Sequence, residues 1–352
     1  MARTDCNDAR PVTDHGGDLG RAARDFAAAP RPFLDLSTGI NPHSYPHSPL
    51  AASALTRLPD AEATQRLAAT AAALYGAPSP AHVAAAPGTQ ILLPQVARLV
   101  RPGRAVILGP TYAEHRRAAA LAGHAVVETD DPQALATADL AVVVNPNNPD
   151  GRLLPRGRLM AIAEAVARRG GLLVVDEAFM DVAPAAASLA GALDAAPVVV
   201  LRSFGKFFGL AGVRLGFALA APARAGRLAD ELGPWAVSGA ALAIGGEALA
   251  DRAWQAAMRR RLATEAAALD ARLRAHGLAV AGGTSLYRFV ATPQAARLHA
   301  HLGRRGILLR AFERLPGALR IGLPGSAAGL ARLDAGLAGW RGAAPAARGD
   351  AR

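Results

Sequence analysis

The fold class of this chain is indicated by one apolar stretch, Gly171-Leu172-Leu173-Val174-Val175-Asp176-Glu177. Successive side chains of a strand point to opposite faces of its sheet, so four large apolar residues in a row require cover on both faces. An unbroken run of this kind is typical of a parallel sheet between helices, whereas a half-exposed antiparallel strand alternates apolar and polar residues. The stretch therefore favours an α/β fold.

Similar apolar runs recur through the middle of the chain and alternate with helical patterns, such as those at 112–122 and 158–169. The candidate strands are 105–108, 124–128, 140–145, 171–176, 197–202 and 215–219. Because strand and helix alternate, we predict a large α/β domain whose mostly parallel sheet is sandwiched by helices.

The pattern changes after about residue 222. A helical stretch at 254–276 is followed by a strand at 284–291, a helix at 293–305, strands at 307–311 and 318–323, and a last helix at 326–340. We expect Thr292 to cap the helix at 293–305, with Pro293 in its first position.

These patterns predict a large domain over residues 51–222, which could extend to about 250, and a small α+β C-terminal domain over 223–341. Residues 1–50 are rich in loops and prolines, so we expect an N-terminal arm or a part of the small domain. Residues 342–352 are expected to form a disordered tail.

Composition excludes several classes of protein. With 352 residues, 51% hydrophobic and 19% charged, the chain can bury a substantial core and is not intrinsically disordered. Cys6 is the only cysteine, so no internal disulfide forms. Residues 1–14 lack the apolar segment of a signal peptide, and 236–250, the most apolar stretch, is too short to span a bilayer. We expect a cytoplasmic protein without a membrane partner.

The formal net charge is +11, and Lys206 is the only lysine among 39 basic residues. The arginines occur singly or in twos and threes within helical segments, without the interleaved aromatic residues that base stacking requires. We interpret them as solvated helix faces and expect no nucleic-acid partner. The positive charge favours small anionic substrates.

Lys206 lies in a segment punctuated by glycines, Ser203-Phe204-Gly205-Lys206-Phe207-Phe208-Gly209. A desolvated lysine loses its proton near neutral pH and then forms an imine with a carbonyl compound, as arginine does not. The three phenylalanines could lower the pKa of the amine by desolvation. An ordinary surface lysine beside a glycine turn is the alternative, but the sole lysine of the chain in this setting favours a nucleophile.

Three further segments carry polar groups where open α/β sheets bind ligands. Asp176 ends the apolar strand, and Asn148 lies in a loop fixed by two prolines after the strand at 140–145. Gly88-Thr89-Gln90 opens a helical run whose free N–H groups offer an anion site. Each segment alone is also explained by a helix cap, a loop acid or a turn, but their order and spacing together indicate one site.

In these motifs the chain resembles the fold-type I pyridoxal-phosphate enzymes of the aspartate and histidinol-phosphate aminotransferase branch. The resemblance covers about residues 30–325 and includes Gly88-Thr89-Gln90, Asn148-Pro149, Asp176-Glu177-Ala178, Ser203-x-x-Lys206 and Arg214. It implies a large domain with a sheet of the seven-stranded type, pyridoxal 5'-phosphate as cofactor, and a homodimer.

Other motifs are similar to those of the L-threonine-O-3-phosphate decarboxylases of the corrinoid pathway. They are His15-Gly16-Gly17-Asp18-Leu19, Leu34-Asp35-Leu36-Ser37-Thr38-Gly39-Ile40-Asn41-Pro42 and Asn147-Asn148-Pro149-Asp150-Gly151-Arg152. This resemblance implies decarboxylation of O-phospho-L-threonine.

The resemblance also implies roles for the cofactor site. Lys206 would hold the cofactor covalently, and Asp176 would pair with the protonated pyridine nitrogen, so that the ring withdraws electrons. Asn148 would hydrogen-bond the 3-oxygen of the ring, and Tyr112 would stack on its face. Gly88, Thr89 and Gln90, with Ser203 and Arg214, would bind the phosphate.

For the substrate, Arg320 matches the arginine that grips the carboxylate in a bidentate manner. Arg310 and His15 are candidates for binding the substrate phosphate, and Asn41 is expected to line the same pocket together with Asn148. For His15, a loop histidine without a ligand is the alternative.

Two residues depart from the family pattern. Phe179 stands where many aminotransferases have a tyrosine that helps hold the ring oxygen, so Asn148 would act there alone. Leu58 replaces a tyrosine that often reaches the cofactor phosphate across a dimer interface, which puts that contact in doubt but not dimerisation. Asp150, where threonine is common, favours the decarboxylase subgroup.

Two alternatives to the decarboxylase remain open. One is a pyridoxal-phosphate aminotransferase acting on histidinol phosphate or a similar phosphorylated amino compound. The other is a nucleic-acid-binding or regulatory protein on the same fold, suggested by the charge of +11. The second expects a fused helix-turn-helix domain, for which the residues before position 50 leave no room.

Overall fold

The computed structural model describes residues 15–340, so Cys6, residues 1–14 and the expected tail at 342–352 lie outside the described residues. Two compact units account for the described part. The first unit comprises residues 43–260, and the second comprises residues 15–42 together with 261–340.

Strands and helices alternate along much of the first unit, whereas the second unit contains antiparallel strands and a few helices. The strands are β1 Leu34–Asp35, β2 Val83–Ala86, β3 Arg104–Leu108, β4 Ala125–Thr129, β5 Leu140–Val144, β6 Leu172–Asp176, β7 Val198–Ser203, β8 Gly216–Ala220, β9 Val280–Thr284, β10 Tyr287–Ala291, β11 Ile307–Leu308, β12 Arg310–Ala311 and β13 Ala318–Gly322. The helices are α1 Leu19–Asp25, α2 Ser53–Thr56, α3 Ala61–Tyr75, α4 Leu92–Ala97, α5 Glu114–Leu121, α6 Arg156–Ala167, α7 Phe204–Phe207, α8 Pro222–Leu232, α9 Gly239–Ala250, α10 Arg252–Ala275, α11 Ala295–Gly303 and α12 Ala327–Ala338.

The first unit is built on a seven-stranded sheet in the order β2-β8-β7-β6-β5-β3-β4. Strands β7, β6, β5, β3 and β4 run parallel, and only β8 runs against its neighbours within this sheet. All side chains of β5, β6 and β8 are buried, as the unbroken apolar runs require. The predicted mostly parallel α/β sheet is therefore confirmed.

The second unit has a separate antiparallel sheet in the order β12-β13-β10-β9, and a short parallel pair of β1 with β11. Gly322 of β13 also donates a backbone hydrogen bond to the carbonyl of Leu36, at 2.7 Å. The segment after β1 is thereby fixed beside β13, although nearly three hundred residues separate them in the sequence.

Several expected elements differ in detail. Strand β2 was not predicted, since its sequence Val83-Ala84-Ala85-Ala86 is rich in alanine, which disfavours strands. The strand expected at 284–291 is the hairpin β9–β10, and the one expected at 307–311 is divided into β11 and β12.

The helix predicted at 293–305 begins two residues later than expected. Helix α11 begins at Ala295 with Gln294 in the capping position. The side chain of Thr292 accepts a hydrogen bond from the amide of Gln294, and its carbonyl accepts one from the amide of Ala295, so Thr292 caps the turn that contains Pro293.

The first unit extends to residue 260, beyond both the predicted boundary at 222 and its possible extension to about 250. Residues 223–260 group with the first unit because α8 packs on β2 and β8, and α9 packs on α3. Within residues 15–340, no helix is both long and apolar enough to cross a membrane.

Candidate active site

The polar segments of the first unit meet at one edge of the seven-stranded sheet. Parallel strands end at the same edge, so the loops that follow β3, β5, β6 and β7 are neighbours there. Tyr112, Asn148, Asp176 and Lys206 lie at or shortly after the ends of these four strands. The edge is therefore the place where a ligand can contact all four residues.

Lys206 lies in α7, a single helical turn directly after β7. Its side chain is half-buried, while Phe204, Phe207 and Phe208 are fully buried behind it. Its Nζ atom lies 6.0 Å from the ring centroid of Phe179. Phe179 is thus an apolar group close to the amine.

Asp176, at the end of β6, is buried and held at both carboxylate oxygens. Its Oδ2 atom lies 2.8 Å from Nε2 of His115, and its Oδ1 accepts a hydrogen bond from the amide of Ala178 at 3.0 Å. His115 is equally buried, in the first turn of α5. The pair fixes the carboxylate in one orientation.

The glycine motif forms a cradle between β2 and α4. Gly88 has φ +87°, a conformation that favours glycine, and a Cβ atom there would lie 2.5 Å from Nη2 of Arg214. Gly216 pairs with both Ala86 and Ser203, and a Cβ atom on it would lie 2.6 Å from the amide nitrogen of Thr89. The structure therefore brings the glycine motif, Ser203 and Arg214 together.

Arg214 is itself unusual, since it adopts a left-handed conformation with φ 55° and ψ 60°. A non-glycine residue in this region carries backbone strain, which is often found at binding sites. Its guanidinium donates to the carbonyl of Ala211 at 3.2 Å, which steers the side chain back towards Gly88.

The side chain of Gln90 does not extend as part of the cradle. Its Nε2 donates to Oε2 of Glu114 at 2.7 Å, and its Oε1 accepts from the hydroxyl of Tyr112 at 3.0 Å. These contacts connect the Gln90 side chain to the start of α5.

The asparagine loop after β5 is fixed by hydrogen bonds among its own residues and to Thr111. Thr111 donates to Oδ1 of Asn147 at 2.6 Å, and Nδ2 of Asn147 donates to Oδ1 of Asp150 at 2.8 Å. Asp150 also accepts from the amide of Arg152 at 2.9 Å. Asn148 is half-buried in this loop, next to the fixed Asn147.

Below the site, buried charges join the ends of β6 and β7. Arg202 donates to Glu177 at 3.0 Å and to Asp181 at 2.7 Å. Ser188 donates to Oε2 of Glu177 at 2.6 Å. Burial raises the pKa of Glu177, against the opposing effect of Arg202. Burial acts against the charge on Arg202, but Asp181 and Glu177 outweigh it and raise the pKa of the guanidinium.

The second unit contains the other predicted residues. Arg310 and Arg320 are directly opposite each other on β12 and β13. Nη2 of Arg320 donates to the carbonyl of Ser37 at 2.8 Å, and its guanidinium lies 5.1 Å from the ring centroid of Tyr287. The two side chains make different contacts, since the guanidinium of Arg310 lies 5.0 Å from the ring centroid of Phe312.

The remaining second-unit candidates lie on the segment beside β13. The hydroxyl of Ser37 accepts a hydrogen bond from the amide of Gly17 at 2.8 Å, which fixes the glycines that follow His15. His15 itself is exposed, whereas Asn41 is 2% exposed. Ser37 thus connects the His15 segment with Arg320.

Two residues of the site were missed in the sequence, His115 and Glu114. Both are buried polar residues of α5, and their partners Asp176 and Gln90 are distant in sequence. The only local signal was a pair of polar residues inside a predicted helix, which equally fits a solvated face. Among residues 15–340, no group of three or more His, Cys, Asp or Glu side chains is arranged to hold a metal ion.

Comparison with known proteins identifies the class of this fold and site. The sequence profile of the family described as aminotransferase class I and II matches residues 32–333. The chain belongs to this family, as its motifs predicted.

Two relatives are similar over nearly their full lengths. Threonine-phosphate decarboxylase of Pseudomonas aeruginosa is 44% identical over 333 residues, covering 94% of this chain and 98% of that protein. Threonine-phosphate decarboxylase of a Sinorhizobium species is 43% identical over 326 residues, covering 92% and 97%.

Among solved structures, histidinol-phosphate aminotransferase from Sinorhizobium meliloti, in complex with pyridoxal-5'-phosphate, superposes with a TM-score of 0.79. The sequences are 24% identical, and the match covers 96% of each chain. At this identity the likeness establishes the fold, and it confirms the predicted fold-type I architecture.

Proposed function

We propose that this protein decarboxylates O-phospho-L-threonine to (R)-1-aminopropan-2-yl phosphate, with pyridoxal 5'-phosphate as cofactor. The observation that carries the proposal is the identity of 44% and 43% to two threonine-phosphate decarboxylases over almost the whole chain. We propose that the reaction belongs to corrinoid (cobalamin) biosynthesis.

The residues at the sheet edge fit the cofactor. Pyridoxal phosphate offers an aldehyde, a pyridine nitrogen and a phosphate, and the edge provides an amine, a buried carboxylate and a glycine cradle for them. The cradle has room for an anion because glycines stand at 88 and 216, where a Cβ atom would crowd Arg214 or the amide of Thr89. When bound, the cofactor supplies an electron-withdrawing ring that stabilises negative charge on the substrate carbon.

Each group of the cofactor is assigned its own residues. Lys206 would bond to the aldehyde, and Asp176, held by His115, would face the pyridine nitrogen. The phosphate would be bound by the backbone of Gly88, Thr89 and Gln90, with Ser203 and Arg214. Asn148 would contact the ring oxygen and the substrate, and Tyr112 would stack on the ring.

Substrate recognition is assigned to the paired arginines of the second unit. O-Phospho-L-threonine carries a carboxylate and a phosphate, and guanidinium groups bind both in bidentate geometry. Arg320 would hold the carboxylate, and Arg310 with His15 would hold the phosphate. Buried Asn41 would line the same pocket.

The chemistry requires the carboxylate to leave as CO2 and a proton to take its place on the same carbon. Lys206 is the one side-chain amine of the chain, so its Nζ atom would deliver that proton. Buried Phe179, whose ring centroid lies 6.0 Å from that atom, would limit the access of bulk water to the same position. Decarboxylation is favoured over transamination when the proton is delivered to the substrate carbon that loses CO2 and not to a carbon of the cofactor.

A homodimer is part of the proposal. Leu55 and Leu58 are 72% and 68% exposed, and Leu58 lines a groove of about 720 Å³ together with Leu242 and Ile244 of α9. Exposed leucines beside a groove are typical of an interface between subunits. Leu58 would then contribute apolar contact there, in place of a hydroxyl bound to phosphate.

Product analysis tests the proposed reaction. The purified protein, loaded with pyridoxal phosphate and given O-phospho-L-threonine, should release CO2 and aminopropanol phosphate in equal amounts. An aminotransferase would instead convert histidinol phosphate and 2-oxoglutarate, passing through a stable pyridoxamine form of the cofactor. Absence of both products from phosphothreonine, with turnover of histidinol phosphate, would reject the decarboxylase.

A further inference from the structure

The side chain of Gln90 links two residues at the start of α5. Its amide group donates to Glu114, at 2.7 Å, and its carbonyl oxygen accepts from the hydroxyl of Tyr112, at 3.0 Å. The bonds join the turn at 89–91, which directly follows Gly88 of the cradle, to the loop that contains Tyr112. This arrangement determines where the ring lies.

Glu114 decides which way the Gln90 amide points. A carboxylate only accepts hydrogen bonds, so it must face the NH2 group of the amide. The carbonyl oxygen of the same amide is then turned towards Tyr112, whose hydroxyl must donate. A neutral group at position 114 would accept either orientation of the amide and would leave the Tyr112 hydroxyl without a fixed acceptor.

Glu114 is buried at the start of a helix and next to a cation. It is 5% exposed and lies in the first turn of α5, where the helix dipole stabilises negative charge. Nη1 of Arg117, one turn further along, lies 3.3 Å from Oε2 of Glu114. A buried acid in such a place needs a reason, and its bond to Gln90 supplies one.

We propose that Glu114 is a positioning residue that holds the Tyr112 ring against the cofactor through Gln90. This inference rests on the proposed function, since it needs a ring for Tyr112 to stack on. Glu114 would contact neither substrate nor cofactor. Its effect on the Tyr112 ring would pass through the Gln90 side chain and the Tyr112 hydroxyl.

A double-mutant cycle tests the coupling, with the dissociation constant of pyridoxal phosphate from the apoprotein as readout. Glu114→Gln should weaken cofactor binding about threefold to tenfold, the usual effect of one lost hydrogen bond. Tyr112→Phe removes only the hydroxyl, and in that background Glu114→Gln should change binding less than about 1.5-fold. The circular dichroism of the bound cofactor should change in the same pattern.

Arg117→Ala is the matched control, because it removes another contact of Glu114 and leaves Gln90 untouched. It should leave cofactor affinity within about twofold of wild type. Additive effects of Glu114→Gln and Tyr112→Phe would overturn the inference while leaving the proposed function intact. A wild-type protein that binds no pyridoxal phosphate would overturn both.

Discussion

Lys206 carries more of the proposed chemistry than any other residue. It is the only lysine of the chain, it follows directly on β7, and three fully buried phenylalanines pack behind it. Since an arginine cannot form an imine, none of the other basic side chains could replace it.

Replacing Lys206 therefore has a specific spectroscopic consequence. We expect Lys206→Ala to remove the absorption band near the visible edge that marks lysine-bound pyridoxal phosphate, and to abolish turnover. Borohydride reduction should attach the cofactor permanently to the wild-type protein only, and mass spectrometry would detect the added mass. Lys206→Arg, which keeps the positive charge, should behave like the alanine variant; a persisting band in either would disprove the assignment.

Tyr45 is expected to make the stability of the protein depend on pH in the alkaline range. Its hydroxyl lies 3.4 Å from Glu247 and 3.3 Å from Asp251. Burial, and then these two carboxylates, raises its pKa from 10.0 to about 12. A raised pKa means that its contribution to stability is complete below pH 10 and is lost as the pH rises through about 12.

We therefore expect Tyr45→Phe to reduce the alkaline loss of stability. Between pH 9 and 11 the wild type should lose about 1 kcal/mol more of its free energy of unfolding than the variant. Urea unfolding at both pH values measures the difference. Equal losses of the free energy of unfolding in the two proteins would show that the pKa of Tyr45 is not raised by folding.

Single residues of the site could be predicted where the residue type is rare in the chain and where neighbouring sequence shows its position in the fold. Lys206 and Asp176 follow strands that the sequence shows as apolar runs, so their position at the sheet edge could be inferred. His115 could not, because its meaning depends on a contact with Asp176 across 61 positions. Folding alone brings such partners together.

At the scale of elements, a group of buried charged side chains connects the ends of β6 and β7. Arg202 of β7 reaches Glu177, just after β6, and Asp181, and it lies 4.3 Å from the ring centroid of Tyr75 in α3. These contacts hold the strand ends that present Asp176 and Lys206.

Arg202→Met should be strongly destabilising, since it leaves two buried carboxylates without their cation. We expect a loss of about 3–5 kcal/mol in the free energy of unfolding, measured with urea. Arg261→Met is the matched control because the Arg261–Glu265 pair is exposed, and it should cost under about 0.5 kcal/mol. Similar small losses for both variants would contradict the role given to the buried pairs.

Elements were predicted well where burial is complete and poorly where it is not. β5, β6 and β8 are buried throughout and read as apolar runs. β2 is an edge strand of small residues, and its alanines suit a helix as well as a strand. The start of α11 depends on a turn around Thr292, which propensity alone does not reveal.

At the scale of the whole molecule, the charge of +11 should act on the proposed dianionic substrate before it binds. We expect kcat/KM to fall about threefold to tenfold as salt is raised from about 10 to 200 mM, since the screening length shortens from about 30 Å to under 10 Å. The value of kcat at saturating substrate should stay nearly constant. A kcat/KM independent of salt would exclude steering.

The division into units was the least predictable feature. Residues 15–42 group with 261–340, although the whole of the first unit lies between them in the sequence. The bonds that join them, such as Arg320 to the carbonyl of Ser37 across 283 positions, leave no periodic pattern in either segment. A change in composition near residue 222 was visible, but the contacts of α8 and α9 move the boundary to 260.

The lone lysine also makes the protein a reporter of its own occupancy. Reagents that acylate amines normally label a protein at many surface lysines, whereas here the one side-chain target is half-buried at the sheet edge. The extent of labelling at that position would measure the fraction of molecules whose site is filled. Arginines elsewhere on the surface would not react, so occupancy of the purified protein could be followed without a substrate or a coupled assay.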